Sequence, residues 1–179
     1  ESFAMSLQGD GRLLYIATMY PYKWNTTELD PETIQRIERH RAMRADKGFD
    51  TVECYRHVEH IVAKRQDVLL LECMSNLLAN EMYLEPDSNA GSDMAETMSP
   101  VSNKIVQALI DLSTRVQELV IVTNDVFSDG GSLTYDESTR EYVKNLAEIN
   151  CALAREAATV TEVVCGIPVI VKKNHPMGK

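Results

Sequence analysis

Apolar residues in this chain fall into short unbroken runs, separated by longer stretches in which they recur at helical spacing. Leu-Leu-Tyr-Ile-Ala-Thr at 13–18, Val-Leu-Leu-Leu-Glu-Cys at 68–73 and Glu-Leu-Val-Ile-Val-Thr at 118–123 are nearly continuous. Strands covered on both faces of a parallel sheet read this way. A shorter strand is expected at 50–54, and two more at 161–164 and 168–172 around a turn at Gly166.

The intervening stretches predict helices. Asp30-Pro31-Glu32 supplies a capping aspartate, a proline for the first turn and an acid at the positive end of the helix dipole. The body at 33–44 would pack through Ile34, Ile37 and Met43. Further helices are expected at 55–64, 76–82, 102–115 and 136–158; Ile105, Leu109, Leu112 and Val116 form the apolar face of the third. Phe3, Ala4 and Leu7 suggest that the chain starts inside a helix already under way. Polar, non-periodic stretches at 85–100 and 127–132 read as surface loops.

Strands alternating with helices predict one α/β domain across 1–179, with a largely parallel sheet flanked by helices. Active groups should then gather at the carboxyl ends of the strands. Those ends carry Ala17, Thr18 and Met19, then Glu72, then Asn124 and Asp125.

Composition narrows the picture. The 179 residues are 44% hydrophobic and 25% charged, with a formal net charge of −9. That charge argues against a nucleic-acid partner. No apolar run approaches the roughly 18–20 residues of a membrane span, and no leader-like pattern opens the chain, so a cytoplasmic address is expected. Cys54, Cys73, Cys151 and Cys165 lie far apart. They read as small buried hydrophobes kept reduced rather than as metal ligands.

Against the overall negative charge stands a basic cluster. Arg36, His40 and Arg44 are spaced i, i+4, i+8, within about 80° of one helix face. This face is either a solvated basic surface or a phosphate site, since guanidinium forks match phosphate oxygens. In the second case His40 could attack phosphorus and form a phosphoramidate. Glu72, ending an apolar strand, is either the first polar residue after a buried segment or an acid that holds Mg²⁺ beside a nucleotide. Glu53, at the end of a shorter strand, could accept hydrogen bonds from a sugar or a guanine edge. His57 and His60 have no third ligand in sight and read as surface residues.

Taken in order, these segments closely resemble the bifunctional adenosylcobinamide kinase/adenosylcobinamide-phosphate guanylyltransferases of cobalamin biosynthesis. The resemblance rests on Leu-Tyr-Ile-Ala-Thr at 14–18, Arg-Ile-Glu-Arg-His-Arg-Ala-Met-Arg at 36–44 and Thr-Val-Glu at 51–53. It continues through 68–73, 122–126, Arg140, Asn150, Leu153-Ala154 and Val-Val-Cys-Gly-Ile-Pro at 163–168. It implies a RecA-like P-loop nucleotide-binding fold, assembled as a homotrimer. The implied activity uses ATP or GTP to phosphorylate the corrinoid adenosylcobinamide, then transfers GMP from GTP through a guanylyl-histidine to give adenosylcobinamide-GDP, with Mg²⁺.

By the same resemblance, His40 would carry the GMP. Ala17, Thr18, Met19, Arg41, Ala42, Met43, Arg44, Glu53 and Glu72 would contact nucleotide, Glu72 through the metal. The family's first strand and its G-x-x-x-S-G-K-S loop would precede Glu1, and 1–179 without them is expected to be impaired. The family's N-E-V-G-x-G-I-V-P stretch is replaced here by residues 124–132. That change allows a guanylyltransferase without kinase activity; a separate alternative is a non-catalytic nucleotide-sensing or scaffold domain that keeps only the fold.

Overall fold

In the computed structural model, which describes residues 1–24, 26–84, 98–126 and 135–174, the three apolar runs and the shorter strand pair side by side. They are β1 (Leu13–Ala17), β2 (Phe49–Glu53), β3 (Val68–Glu72) and β4 (Glu118–Val122). All three pairings are parallel, in the order β2-β1-β3-β4. The α/β expectation therefore holds, with helices α1 (Ser2–Ser6), α2 (Pro31–Arg44), α3 (Met74–Tyr83), α4 (Pro100–Thr114) and α5 (Glu137–Glu156) around the sheet. The expected loops at 85–97 and 127–132 lie outside the described residues.

Side chains alternate across the sheet. Leu14, Ile16, Leu69 and Leu71 point into the larger core with Leu77 and Leu78 of α3, Leu109 and Leu112 of α4, and Leu146 and Ile149 of α5. Each such side chain contributes about 1.5–3 kcal/mol by burial. Leu13, Tyr15, Val68 and Leu70 face the other way, into a smaller cluster with Ala4 of α1. β4, expected to be buried, is only half-buried because among the described residues it is the last strand of this sheet, with one neighbour.

At the amino edge of the sheet Asp67 ties the strands together. Its buried carboxylate accepts hydrogen bonds from the Arg12 amide (3.1 Å), the Arg12 guanidinium (2.6 Å) and the Lys64 amide (2.8 Å). Its carbonyl accepts the Gln117 amide at 2.9 Å. Gly11 must be glycine in this crowded edge, since a Cβ would lie 1.8 Å from the Gln66 carbonyl oxygen.

Three expectations fail locally. Residues 55–64 do not form a helix; only Val58–His60 makes a 3₁₀ turn. His57 enters it with φ of 57°, and its amide donates to Glu81 Oε1 at 2.7 Å, which holds the chain out of helical geometry. In α2, Met43 is 60% exposed and Arg44 is buried, the reverse of the hydrophobic expectation. None of the cysteines is fully buried: Cys54 and Cys73 sit half-buried just past strand ends, Cys151 is exposed on α5, and Cys165 is exposed in a turn.

That turn, Cys165-Gly166, has positive φ at both residues (51° and 81°), as a two-residue hairpin requires. It joins β5 (Thr159–Val164) to β6 (Ile167–Lys173) in an antiparallel pair. Its apolar side chains stay in solvent: Val163, Ile167, Ile170 and Val171 are each more than half exposed. Among the described residues no helix is long and apolar enough to cross a membrane.

Candidate active site

Strand register brings the first site residues together. Ala17 is paired with Glu53 on one side and Glu72 on the other, and Glu72 is paired with Val122. The last residues of all four parallel strands therefore form one row. They floor a cavity of about 230 Å³, whose other wall is the inner face of α2.

The capped start of α2 fixes that face. Asp30 accepts the Thr33 amide at 3.3 Å, and Pro31 occupies the first turn. From there Arg36 is exposed, His40 half-buried and Arg44 only 5% exposed, so one helix face descends from solvent into the cavity. All three line it, with Ile37 between them. Among the described residues no hydrogen bond engages the His40 ring, which leaves its nitrogens available.

Arg44 is the most constrained member. Its guanidinium carbon lies 3.5 Å from the centroid of the Tyr15 ring, and its Nε and Nη1 are buried without hydrogen-bond partners. Burial, then the Glu72 charge, drives the Tyr15 phenol well above its ordinary range. Tyr15 thus supports the cationic wall on its ring and lines the same cavity as the acid on β3. A guanidinium with two orphan nitrogens facing a cavity is suited to an anion.

The other polar groups are partly committed. Glu53 pairs with Arg41 through one oxygen and accepts the Tyr55 hydroxyl (2.8 Å) through the other. The buried Thr18 hydroxyl accepts the Cys73 amide at 2.9 Å and lies 3.1 Å from the Glu72 carbonyl oxygen, so it stitches β1 to β3 rather than projecting a free donor. Asn80, also buried, donates to the carbonyls of Thr18 (2.8 Å) and Tyr55 (2.9 Å), fixing both loops at the cavity rim. Burial raises the Cys54 thiol to about 11, with the Glu59 and Glu81 charges adding to it, so it is a poor nucleophile.

Of the residues expected from sequence, Ala17, Thr18, Met19, Arg36, His40, Arg41, Arg44, Glu53 and Glu72 line this one cavity. Ala42 and Met43 are exposed and do not. Asn124 lines it from beyond β4. Sequence reasoning missed Tyr15, Tyr55 and Asn76. Tyr15 is hidden within an apolar run, although its hydroxyl among aliphatic residues was a usable signal; Tyr55 lies in the stretch misread as helix.

Residues 1–171 match the family described as cobinamide kinase / cobinamide phosphate guanyltransferase. The chain belongs to this family. Among curated proteins no individual match is found. Membership in the cobinamide kinase/guanyltransferase family makes the chain one of a set of transferases that use nucleoside triphosphates in cobalamin biosynthesis. The cavity's chemistry agrees in kind, with three guanidiniums and an imidazole gathered in a protein of net charge −9.

Were a divalent ion to accompany substrate phosphates here, Glu72 would be the carboxylate to hold it, because Glu53 is already paired. Such an ion would neutralise phosphate charge when bound.

Proposed function

We propose that this chain phosphorylates the hydroxyl of adenosylcobinamide and then transfers GMP from GTP through His40. The observation that carries this reading is the descent of Arg36, His40 and Arg44 into one cavity, with Arg44 buried and its two nitrogens unpaired.

In the guanylyl half, a lone pair of the His40 imidazole attacks the α-phosphorus of GTP. An N–P bond forms as the P–O bond to pyrophosphate breaks, and pyrophosphate leaves. Arg44 and Arg36 hold the oxygens whose charge grows in that step. A phosphate oxygen of cobinamide phosphate then attacks the same phosphorus, the N–P bond breaks, and cobinamide-GDP departs. In this reading Arg41 and Glu53 meet the sugar or base, and Glu72 holds the divalent ion.

We also propose self-association, in keeping with the homotrimer implied by resemblance. The β5–β6 hairpin exposes Val163, Ile167, Ile170 and Val171, and a second copy would bury them.

The test uses the full-length protein with Mg²⁺ and GTP labelled at the α-phosphate. Protein-bound label that is acid-labile, alkali-stable and mapped to His40 is expected. GTP binding without label on His40 would overturn the covalent route.

A further inference from the structure

Five aromatic rings cluster beside the cavity. Tyr20 touches Tyr22, Trp24 and Tyr55, with centroids 5.3, 6.5 and 5.5 Å away, and Trp24 reaches Tyr83 at 6.2 Å. They come from three parts of the chain: the segment after β1, the residue after β2 and strand-end Cys54, and the last turn of α3. The rings do not form core. Trp24 is 48% exposed and Tyr22 is exposed as well. Yet the cluster is held in place. Tyr22 bridges to Leu29, the Asp30 amide donates to the Pro21 carbonyl at 3.0 Å, and the Tyr83 hydroxyl donates to the Ser138 carbonyl at 3.0 Å. An ordered, solvent-facing aromatic surface is a recognition surface for a large, partly apolar ligand.

Tyr55 joins this surface to the reaction site. Its ring packs edge-on against Tyr20, its hydroxyl bonds Glu53, and it lines the cavity with His40 and Arg41. We infer that the corrin macrocycle of the cobinamide substrate lies on the Tyr20, Tyr22, Trp24, Tyr55 and Tyr83 face, with its phosphate-bearing arm entering the cavity toward His40. This rests on the function proposed above and adds the place where its larger substrate docks.

Size and chemistry select this occupant. A purine covers about one aromatic side chain, whereas the rings run through three successive centroid steps from Tyr55 to Tyr83. A corrin has extended conjugated faces bordered by carboxamides. The rings, tilted or edge-on to one another, offer a ridged apolar surface to the first, and the phenolic hydroxyls of Tyr20 and Tyr22 can hydrogen-bond the second.

Trp24 is the single tryptophan among these 179 residues, so the part of the emission quench that Trp24→Phe abolishes reports this surface. Cobinamide added to the full-length protein should quench that emission saturably. By equilibrium dialysis read from corrin absorbance, Trp24→Ala and Tyr22→Ala should each weaken cobinamide binding about tenfold. Trp24→Phe should recover most of the loss, and affinity for GTP should move roughly twofold or less. Wild-type affinity for cobinamide in both alanine variants would overturn the docking face while leaving the proposed function standing. A loss confined to GTP would assign the face to the nucleobase and overturn it too. Failure of the wild type to bind cobinamide would overturn the function and, with it, the docking face.

Discussion

The Arg44 guanidinium stacks on the Tyr15 ring with 3.5 Å between its central carbon and the ring centroid, and two of its nitrogens have no partner. Stacking returns about 1–2 kcal/mol. Each orphaned donor costs about 1–3 kcal/mol. The ligand-free protein therefore carries a local penalty that an anion would relieve.

Arg44→Met should accordingly raise the melting temperature of the ligand-free protein by a few degrees, since it replaces a buried uncompensated charge with an apolar side chain. The same change should weaken GTP binding about tenfold or more. Thermal unfolding with and without GTP reads both. A variant that is less stable and still binds GTP would make Arg44 a structural residue.

Asn80→Ala should destabilise the fold by about 2 kcal/mol, because the buried carbonyl of Thr18 and the partly buried carbonyl of Tyr55 lose their donor together. Nucleotide affinity should fall alongside stability, since both loops border the cavity. Denaturant unfolding gives the first quantity and GTP titration the second; loss of stability with unchanged affinity would separate the loops from the site.

Glu72→Gln should weaken nucleotide binding in the presence of Mg²⁺ and leave metal-free binding nearly unchanged, as it removes charge and keeps shape. A magnesium titration at fixed GTP checks this. Identical curves for the two proteins would remove Glu72 from the metal-holding role.

Asp67 predicts a pH dependence. Burial alone would push its carboxyl up, but the Arg12 side chain and the amides of Lys64 and Arg12 outweigh that and hold it below its ordinary range. A carboxyl depressed in the folded state stabilises fully above the unfolded value, and the contribution is lost as pH falls through the folded one. Asp67→Asn should therefore melt several degrees lower at pH 7, with the difference shrinking on acidification below the ordinary aspartate range. An equal gap at neutral and strongly acidic pH would show that the carboxylate charge contributes nothing.

The apolar runs made β1, β3 and β4 legible, and the Asp30-Pro31 signal made α2 legible, because each is a local pattern. Strand order was not legible, and it is order that sets Glu53, Ala17 and Glu72 in one row. Helical spacing correctly grouped Arg36, His40 and Arg44 on one face. Hydropathy then misjudged depth: Met43 went to solvent and Arg44 inward, because the inward position offers the Tyr15 ring to a cation. The aromatic cluster was invisible for the same reason as the strand order. Tyr20, Tyr55 and Tyr83 are distant in sequence and meet only after the sheet has formed.

The register of β1 against its two neighbours has a consequence for how this chain can change over generations. Glu53 and Glu72 stand two strand spacings apart, about 10 Å, whatever the surrounding helices do. Substitution and length drift in the connecting segments leave that distance intact. A single inserted or deleted residue inside β3 is different in kind. It would swap Glu72 with a leucine of the opposite layer, sending a carboxylate into the oily interior and an alkyl group into the cavity. Drift is therefore open to the loops and closed to the strand ends.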